Sequence, residues 1–381
     1  MPKNNAPRLS ADKAAKIQKA LLTWYQAHHR KLPWRQSRDP YRIWVSEIML
    51  QQTQVNTVIA YFNRFVAKFP DIFCLAAADL QDVLKCWEGL GYYARARNLH
   101  KAARELVDKA DGRIPDQWDA FRKIPGVGDY IAAAVLSIAF GKPWPAVDGN
   151  AKRVLARLFA IDTPVNQSAA HRQFRAVAAR LLDKTSPGIF NQALIEVGAL
   201  VCKPANPDCG ACPVAEWCRA RGDDQVSQYP VRIKKAPVPE YRMVIGVIVK
   251  GQRLLIVQRP ADAMLGGLWE FPGGLRQAGE SGGSACLRNI REAVGLEVAI
   301  GSRLTTIRHA YTHFKIVADV YVCRYAGGRV RRNGPPAHRW VSINALSRYP
   351  FPGSHHKFIP LLMDINDRLS ADSAFRNMGE N

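Results

Sequence analysis

The spacing of apolar residues changes once along this 381-residue chain, and that change constrains the fold more than any single motif. Up to about residue 221 the apolar positions recur at helical spacing, in runs at 13–28, 40–69, 80–87, 94–109, 130–140, 151–161, 169–182 and 191–201. Asp39-Pro40 opens the second run with a capping side chain and a proline suited to a first turn. Beyond residue 242 the pattern becomes strand-like. Residues 243–249 and 253–258 flank Lys250-Gly251-Gln252 as a hairpin, 316–324 is rich in Val, Ile and Tyr, and helices are expected at 284–294 and 355–365. Between the halves, Pro230, Pro237, Pro239, Arg232, Lys234 and Lys235 make 222–240 too polar and proline-broken to pack by itself. The chain therefore reads as multidomain: an all-α domain over 1–221, a linker over 222–240, and an α+β domain over 241–381.

Fifty-four Lys and Arg against 32 Asp and Glu leave a net charge of +22. Such a field draws polyanions and favours fast, salt-sensitive association with nucleic acid, although a merely solubilising surface would look the same. The longest apolar run, 131–140, is about half of the roughly 20 residues that cross a bilayer, so no membrane association is expected. Residues 1–10 are not followed by an apolar segment with a cleavage site, and a reducing cytoplasm is the expected location. Four of the eight cysteines, Cys202, Cys209, Cys212 and Cys218, fall within 17 residues, which favours a metal centre over disulfides. Only Cys209 and Cys212 form a close pair, so the spacing leans toward an iron–sulfur cluster and leaves zinc open.

Three further places could carry chemistry. Pro125-Gly126-Val127-Gly128 stands at the start of an apolar helix, where free amides can bind a phosphate, or where glycine merely permits a turn. Glu47 has Ile43 and Trp44 before it and Leu50 after it on one helical stripe. Desolvation there would raise its pKa toward that of a general acid, but a glutamate at the stripe's edge would simply turn to solvent. Asp148 precedes a helix rich in Lys and Arg and reads first as its N-cap. If it met Glu47 in one cleft, the pair could cleave a glycosidic bond.

Together with Leu32-Pro33-Trp34-Arg35, Met49-Leu50-Gln51-Gln52-Thr53-Gln54, Gly89-Leu90-Gly91-Tyr92-Tyr93-Ala94-Arg95 and Val147-Asp148-Gly149-Asn150, these features resemble the MutY-type adenine DNA glycosylases of the helix-hairpin-helix, endonuclease III superfamily. The resemblance covers both halves. It implies a glycosylase domain with a [4Fe-4S] cluster on Cys202, Cys209, Cys212 and Cys218, a loop over 202–218, and removal of adenine mispaired with 8-oxoguanine or guanine in double-stranded DNA. Glu47 matches the acid that protonates the purine at N7, and Asp148 the carboxylate that stabilises the sugar cation. Tyr130 and Asn150 match supporting positions, and Arg35 and Gln192 match contacts near the extruded adenine. Gln52 and Tyr92 match wedges into the base stack, while Gly126 and Gly128 belong to the backbone-binding hairpin. A nucleoid-associated monomer is expected.

Two rivals come with the resemblance. Endonuclease III-like enzymes carry, at the position of Tyr130, a lysine that forms a Schiff base and then cleaves the strand; tyrosine cannot form an imine. In the second half, Gly274-x5-Glu280 followed by Arg288-Asn289-Ile290-Arg291-Glu292-Ala293-Val294-Gly295-Leu296 is similar to the box of Nudix hydrolases, which act on oxidised nucleotides. Asn289 and Ala293 replace two of its acidic positions, and magnesium needs such oxygens. The resemblance implies instead a Nudix-like domain that reads 8-oxoguanine through a Phe-Ser-His loop. Tyr311, Thr312 and His313 stand at that loop's place, and Thr312 keeps a hydroxyl for a base edge.

Overall fold

Capping side chains start several helices of the first half. Ser10 Oγ accepts from Lys13 N at 3.3 Å and opens α1 (Ala11–His28); Asp39 Oδ1 accepts from Tyr41 N at 3.0 Å and opens α2 (Pro40–Leu50). The computed structural model describes residues 9–234, 236–331 and 334–363; residues 1–8, Lys235 of the linker and the expected helical end at 364–365 lie outside these.

The single run expected over 40–69 is two helices. The apolar stripe lapses in Gln51-Gln52-Thr53-Gln54, Gln52 takes a left-handed φ of +58°, and α3 (Val55–Lys68) begins afresh. Next come α4 (Ile72–Ala77), α5 (Leu80–Trp87), α6 (Ala94–Ala110) and α7 (Trp118–Arg122). Of these, α4 and α7 escape sequence reading because one turn is too short to display a period. The remaining long helices are α8 (Asp129–Phe140), α9 (Gly149–Phe159), α10 (Ser168–Leu181) and α11 (Pro187–Leu200).

Contacts group the chain into two units, residues 1–77 with 98–235, and residues 78–97 with 236–381. In the first, Ile17 and Leu21 of α1 pack with Val154 and Leu155 of α9, Phe174 of α10, and Phe190 and Val197 of α11. Helix α2 is buried along nearly its whole length and packs on α8, whose residues 131–137 are all buried. Among the described residues no helix is long and apolar enough to cross a membrane.

The second unit is built on a sheet. Its strands are β1 (Glu240–Lys250), β2 (Arg253–Gln258), β3 (Trp269–Glu270), β4 (Gly273–Leu275), β5 (Glu297–Ala310), β6 (Lys315–Gly327) and β7 (His338–Val341). Their order is β3-β2-β1-β6-β5, with β4 also on β1 and β7 on β2; β1 runs parallel to β6, in register from Glu240 opposite Lys315 to Val249 opposite Arg324. Alternation along β1 sends Ile245 and Val247 to a core with Phe271, Phe351 and Phe358, and Val244 and Ile248 to the opposite face. There a helix, α12 (Gly282–Val294), buries Cys286, Ile290 and Val294. Gly246 lies beneath it, where a Cβ would stand 2.6 Å from Ile290 Cδ1 and oblige that side chain to shift. At the C-terminal end, a short 3-10 turn, His355–Lys357, precedes helical residues 359–363.

Candidate active site

Glu47 sits in the last turn of α2 and is 7% exposed. The solvent-turned alternative does not hold, because neighbouring helices enclose the face at which the carboxylate could have escaped. Desolvation pushes its carboxyl up to about 7, and the negative charge of Asp148 adds to this; a hydrogen bond from Tyr130 and the charge of Arg35 act in the other direction. Tyr130, in the first turn of α8, donates its hydroxyl to Glu47 Oε2 at 2.7 Å. Burial, followed by the two carboxylates, holds that phenol well above its ordinary value, so it stays protonated and able to donate.

Asp148 is the N-cap of α9, and the bland reading of it is correct as far as it goes. Its Oδ1 accepts from Ala151 N at 2.7 Å and its Oδ2 from Asn150 Nδ2 at 2.9 Å. Burial raises its pKa, opposed by these bonds and by the charge of Arg153. The two carboxyls, 101 residues apart by their numbers, are thus electrostatic neighbours in one unit, and only Glu47 lacks a cage of donors. Asn150 Oδ1 in turn accepts from Arg153 Nη2 at 2.8 Å, and Arg153 Nε reaches the Cys202 carbonyl at 2.7 Å.

Arg35 and Gln192 line a cavity of about 320 Å³ with Tyr25, His29, Ser137 and Ile189. Tyr25 donates its hydroxyl to Gln192 Oε1 at 3.2 Å, and the Arg35 guanidinium lies 5.5 Å from the Tyr25 ring centre. Arg35 is also clamped from behind: with Arg30 it holds Glu196, whose side chain is fully buried, through bonds of 2.8–3.0 Å. Burial alone would raise the Glu196 pKa, but the two guanidiniums outweigh it and hold the acid at about 2.

The hairpin takes its shape from Gly126, at φ +78°, where a Cβ would stand 2.8 Å from Asn98 Cβ. Gly128 follows as an N-cap without a capping side chain, leaving the first amides of α8 facing outward. Asp129 is not part of that opening; it holds Arg122 at 2.8 Å and Arg175 at 3.1 Å. Gln52 is exposed in the break after α2.

The four cysteines of the 202–218 loop lie near one another. Cys212 is pushed up to about 11 by burial, and by the neighbouring Cys202, Cys218 and Cys209. Among the described residues no group of three or more Cys, His, Asp or Glu side chains is arranged to hold a metal ion. Arg157 organises the loop from α9: its guanidinium reaches Cys202 Sγ at 3.3 Å and the carbonyls of Lys203 at 2.7 Å and Tyr229 at 3.0 Å. The side chains of Cys202, Cys212 and Cys218 rest against the helical core.

In the second unit, Tyr92 has a left-handed φ of +49°, is exposed, and meets Thr312 Oγ1 through its hydroxyl. Tyr311, Thr312 and His313 form the tip between β5 and β6, closed by Tyr311 N on the Phe314 carbonyl at 2.8 Å. The box residues have become structural. Asn289 Nδ2 donates to the Leu275 carbonyl at 3.2 Å and the Ala285 carbonyl at 2.8 Å, and Arg288 pairs with Glu280 at 2.8 Å.

Sequence reasoning missed Glu196, Arg153 and Arg157. The signal for the first was an acid inside the apolar run 191–201, and for the others arginines on the stripe of α9 that faces the core.

Two family models match the chain: HhH-GPD superfamily base excision DNA repair protein over residues 45–179, and NUDIX domain over 244–361. The chain is 34% identical to the adenine DNA glycosylase of Arabidopsis thaliana, over 95% of this chain and 67% of that one. It is 34% identical to the adenine DNA glycosylase of Homo sapiens, over 85% and 69% respectively. Among solved structures, a thermostable thymine-DNA glycosylase superposes with a TM-score of 0.52 at 30% identity, covering 56% of this chain and 98% of that one.

Proposed function

The chain belongs to the adenine DNA glycosylase family of base excision repair enzymes, and from that premise we propose that it removes adenine paired with 8-oxoguanine or guanine without cutting the strand. The observation that carries the reading is the pair of unlike acids: Glu47, buried and pushed to about 7, beside Asp148, held by donors. An extruded nucleotide is the form in which such a pair can reach a glycosidic bond. Glu47 gives its proton to adenine N7, so the base leaves neutral. Asp148 faces the positive charge that develops on the sugar and guides the water that adds at its anomeric carbon to give the abasic site, while Tyr130 and Asn150 orient the two carboxyls. Arg35 and Gln192 line the recess beside them and contact the base, Gln52 and Tyr92 fill the vacated stack, and the amides at Gly126 and Gly128 take the phosphate backbone.

A lyase step is disfavoured because a protonated phenol stands where Schiff-base chemistry needs an amine. Nudix hydrolysis is disfavoured because Asn289 is spent on two carbonyls and Ala293 offers no oxygen. The division of labour follows the expected domains: 1–221 excises, 241–381 reads the opposite base through Tyr311, Thr312 and His313, and 222–240 joins them. Cys202, Cys209, Cys212 and Cys218 would hold a [4Fe-4S] cluster; the influence of the other three thiols on Cys212 and the Arg157 contact with Cys202 Sγ support this, and their side chains would rearrange to become ligands. When bound, the cluster supplies iron–thiolate bonds that tie the loop together and offset the cost of burying thiolates. We place the protein in the cytoplasm, at the nucleoid, as a monomer.

The test is incubation with duplexes carrying A opposite 8-oxoguanine, followed by alkali. Cleavage at the A site only after alkali is the expected result; strand cleavage without alkali, or a borohydride-trapped adduct, would contradict the monofunctional reading.

A further inference from the structure

Ser354 and His355 lie at the 3-10 turn His355–Lys357, beneath the tip joining β5 to β6, and neither takes part in the chemistry above. Both are buried, at 3% and 5% exposure. The backbone N–H of Phe271 can only donate, so its 3.3 Å bond to His355 Nε2 makes that nitrogen the acceptor. A neutral imidazole then carries its proton on Nδ1, which stands 3.3 Å from Ser354 Oγ. The ring is stacked on Phe271 and Phe351 and tilted against Phe358 at 5.2 Å, so packing fixes its plane. Its burial keeps it neutral.

Ser354 Oγ has a second lone pair, and Tyr311 donates its hydroxyl there at 3.0 Å. Lys357, from the same turn, reaches the carbonyl of Arg308 on β5. Three hydrogen bonds therefore run from an immobile amide in the core to the phenol at the hairpin tip. The last of them depends on the tyrosine hydroxyl, which the Phe of a Phe-Ser-His loop would lack.

We infer that Ser354 and His355 are positioning residues for recognition of the base opposite the adenine, holding Tyr311 by its phenol so that Thr312 and His313 are presented in one arrangement. The inference rests on the reading that residues 311–313 face 8-oxoguanine. Ordering the tip before DNA arrives removes a cost from binding, so the effect falls on affinity and selectivity rather than on excision.

The test compares the full chain with Tyr311→Phe, Ser354→Ala, Ser354→Thr and the double variant Tyr311→Phe/Ser354→Ala, measuring single-turnover excision against enzyme concentration on A:8-oxoguanine and A:G duplexes. Loss of one neutral hydrogen bond predicts a rise of about three- to tenfold in the half-saturating concentration for A:8-oxoguanine in either Tyr311→Phe or Ser354→Ala. For Ser354→Ala the limiting rate and the A:G value should hold, Ser354→Thr should behave like the unsubstituted chain, and the double variant should be no worse than either single one. An equal rise on both duplexes, a lower limiting rate, or additive losses would overturn the inference. If the unsubstituted chain shows no preference for A:8-oxoguanine, the reading of the loop fails and the inference with it. If that preference exists and survives in Ser354→Ala, only the inference fails.

Discussion

The 2.7 Å hydrogen bond from Tyr130 to Glu47 Oε2 assigns different duties to the two oxygens of one carboxyl. Oε2 is occupied by a donor that stays protonated in the working range, so in the proposed mechanism Oε1 is the oxygen left to carry the proton that moves. A carboxyl pushed to about 7 is roughly half protonated near neutrality, where a general acid is most useful.

Glu47→Gln should lower the single-turnover rate by about a hundredfold or more, the range typical of a lost general acid. The same change should stabilise the protein. Glu47 is raised on folding, from 4.5 to about 7, so its contribution is full below 4.5 and is lost as pH rises toward 7. Above that window the Gln variant should be more stable than the unsubstituted chain by about 3 kcal/mol. Thermal denaturation across the window checks this, and equal melting temperatures at high pH would reject the burial cost.

The excision rate should follow a bell in pH. Its alkaline limb reports loss of the Glu47 proton near 7, and its acid limb protonation of Asp148, which burial places above the ordinary carboxylate range. Because each acid feels the other, the limbs belong to the pair. Asp148→Asn should keep DNA binding and lose about a hundred- to a thousandfold in rate, as when one electrostatic stabiliser is removed. A rate near that of the unsubstituted chain would end its role.

Glu196→Ala should be among the most damaging changes to stability in the helical unit. It leaves Arg30 and Arg35 without their shared partner at a buried position, which costs about 3–5 kcal/mol. Chemical denaturation measures the loss directly; a shift under about 1 kcal/mol would mean that solvent already screens both guanidiniums.

The second unit should show no magnesium-dependent hydrolysis of oxidised nucleoside triphosphates, measured as phosphate or diphosphate release. Ala293→Glu alone should not create it, because Asn289 stays committed to the Leu275 and Ala285 carbonyls.

Much of this was legible in the residues because local rules and tertiary demands agree. Asp39 and Asp148 both cap the helices they precede, and the apolar neighbours of Glu47 place it on an apolar stripe. That Glu47 could not escape to solvent was not legible, since it depends on α8 packing against the other side of α2. Strand β5 went unseen because its residues are mostly exposed and show no clean alternation. Arg153, Arg157 and Glu196 look like surface charge in a list of residues, and only the folded chain reveals the carbonyls and guanidiniums they satisfy.

Residues 78–97 belong with the sheet-bearing unit although they are written into the middle of the helical half. Gln81 accepts from the Trp269 indole at 2.9 Å, and Glu88 accepts from Phe351 N at 2.7 Å. The polypeptide therefore crosses from one unit to the other three times, at 77/78, 97/98 and 235/236. A protease that nicks the proline-rich joint leaves two crossings intact, and deleting everything after it strands α5 without the indole and backbone amide that complete its fold.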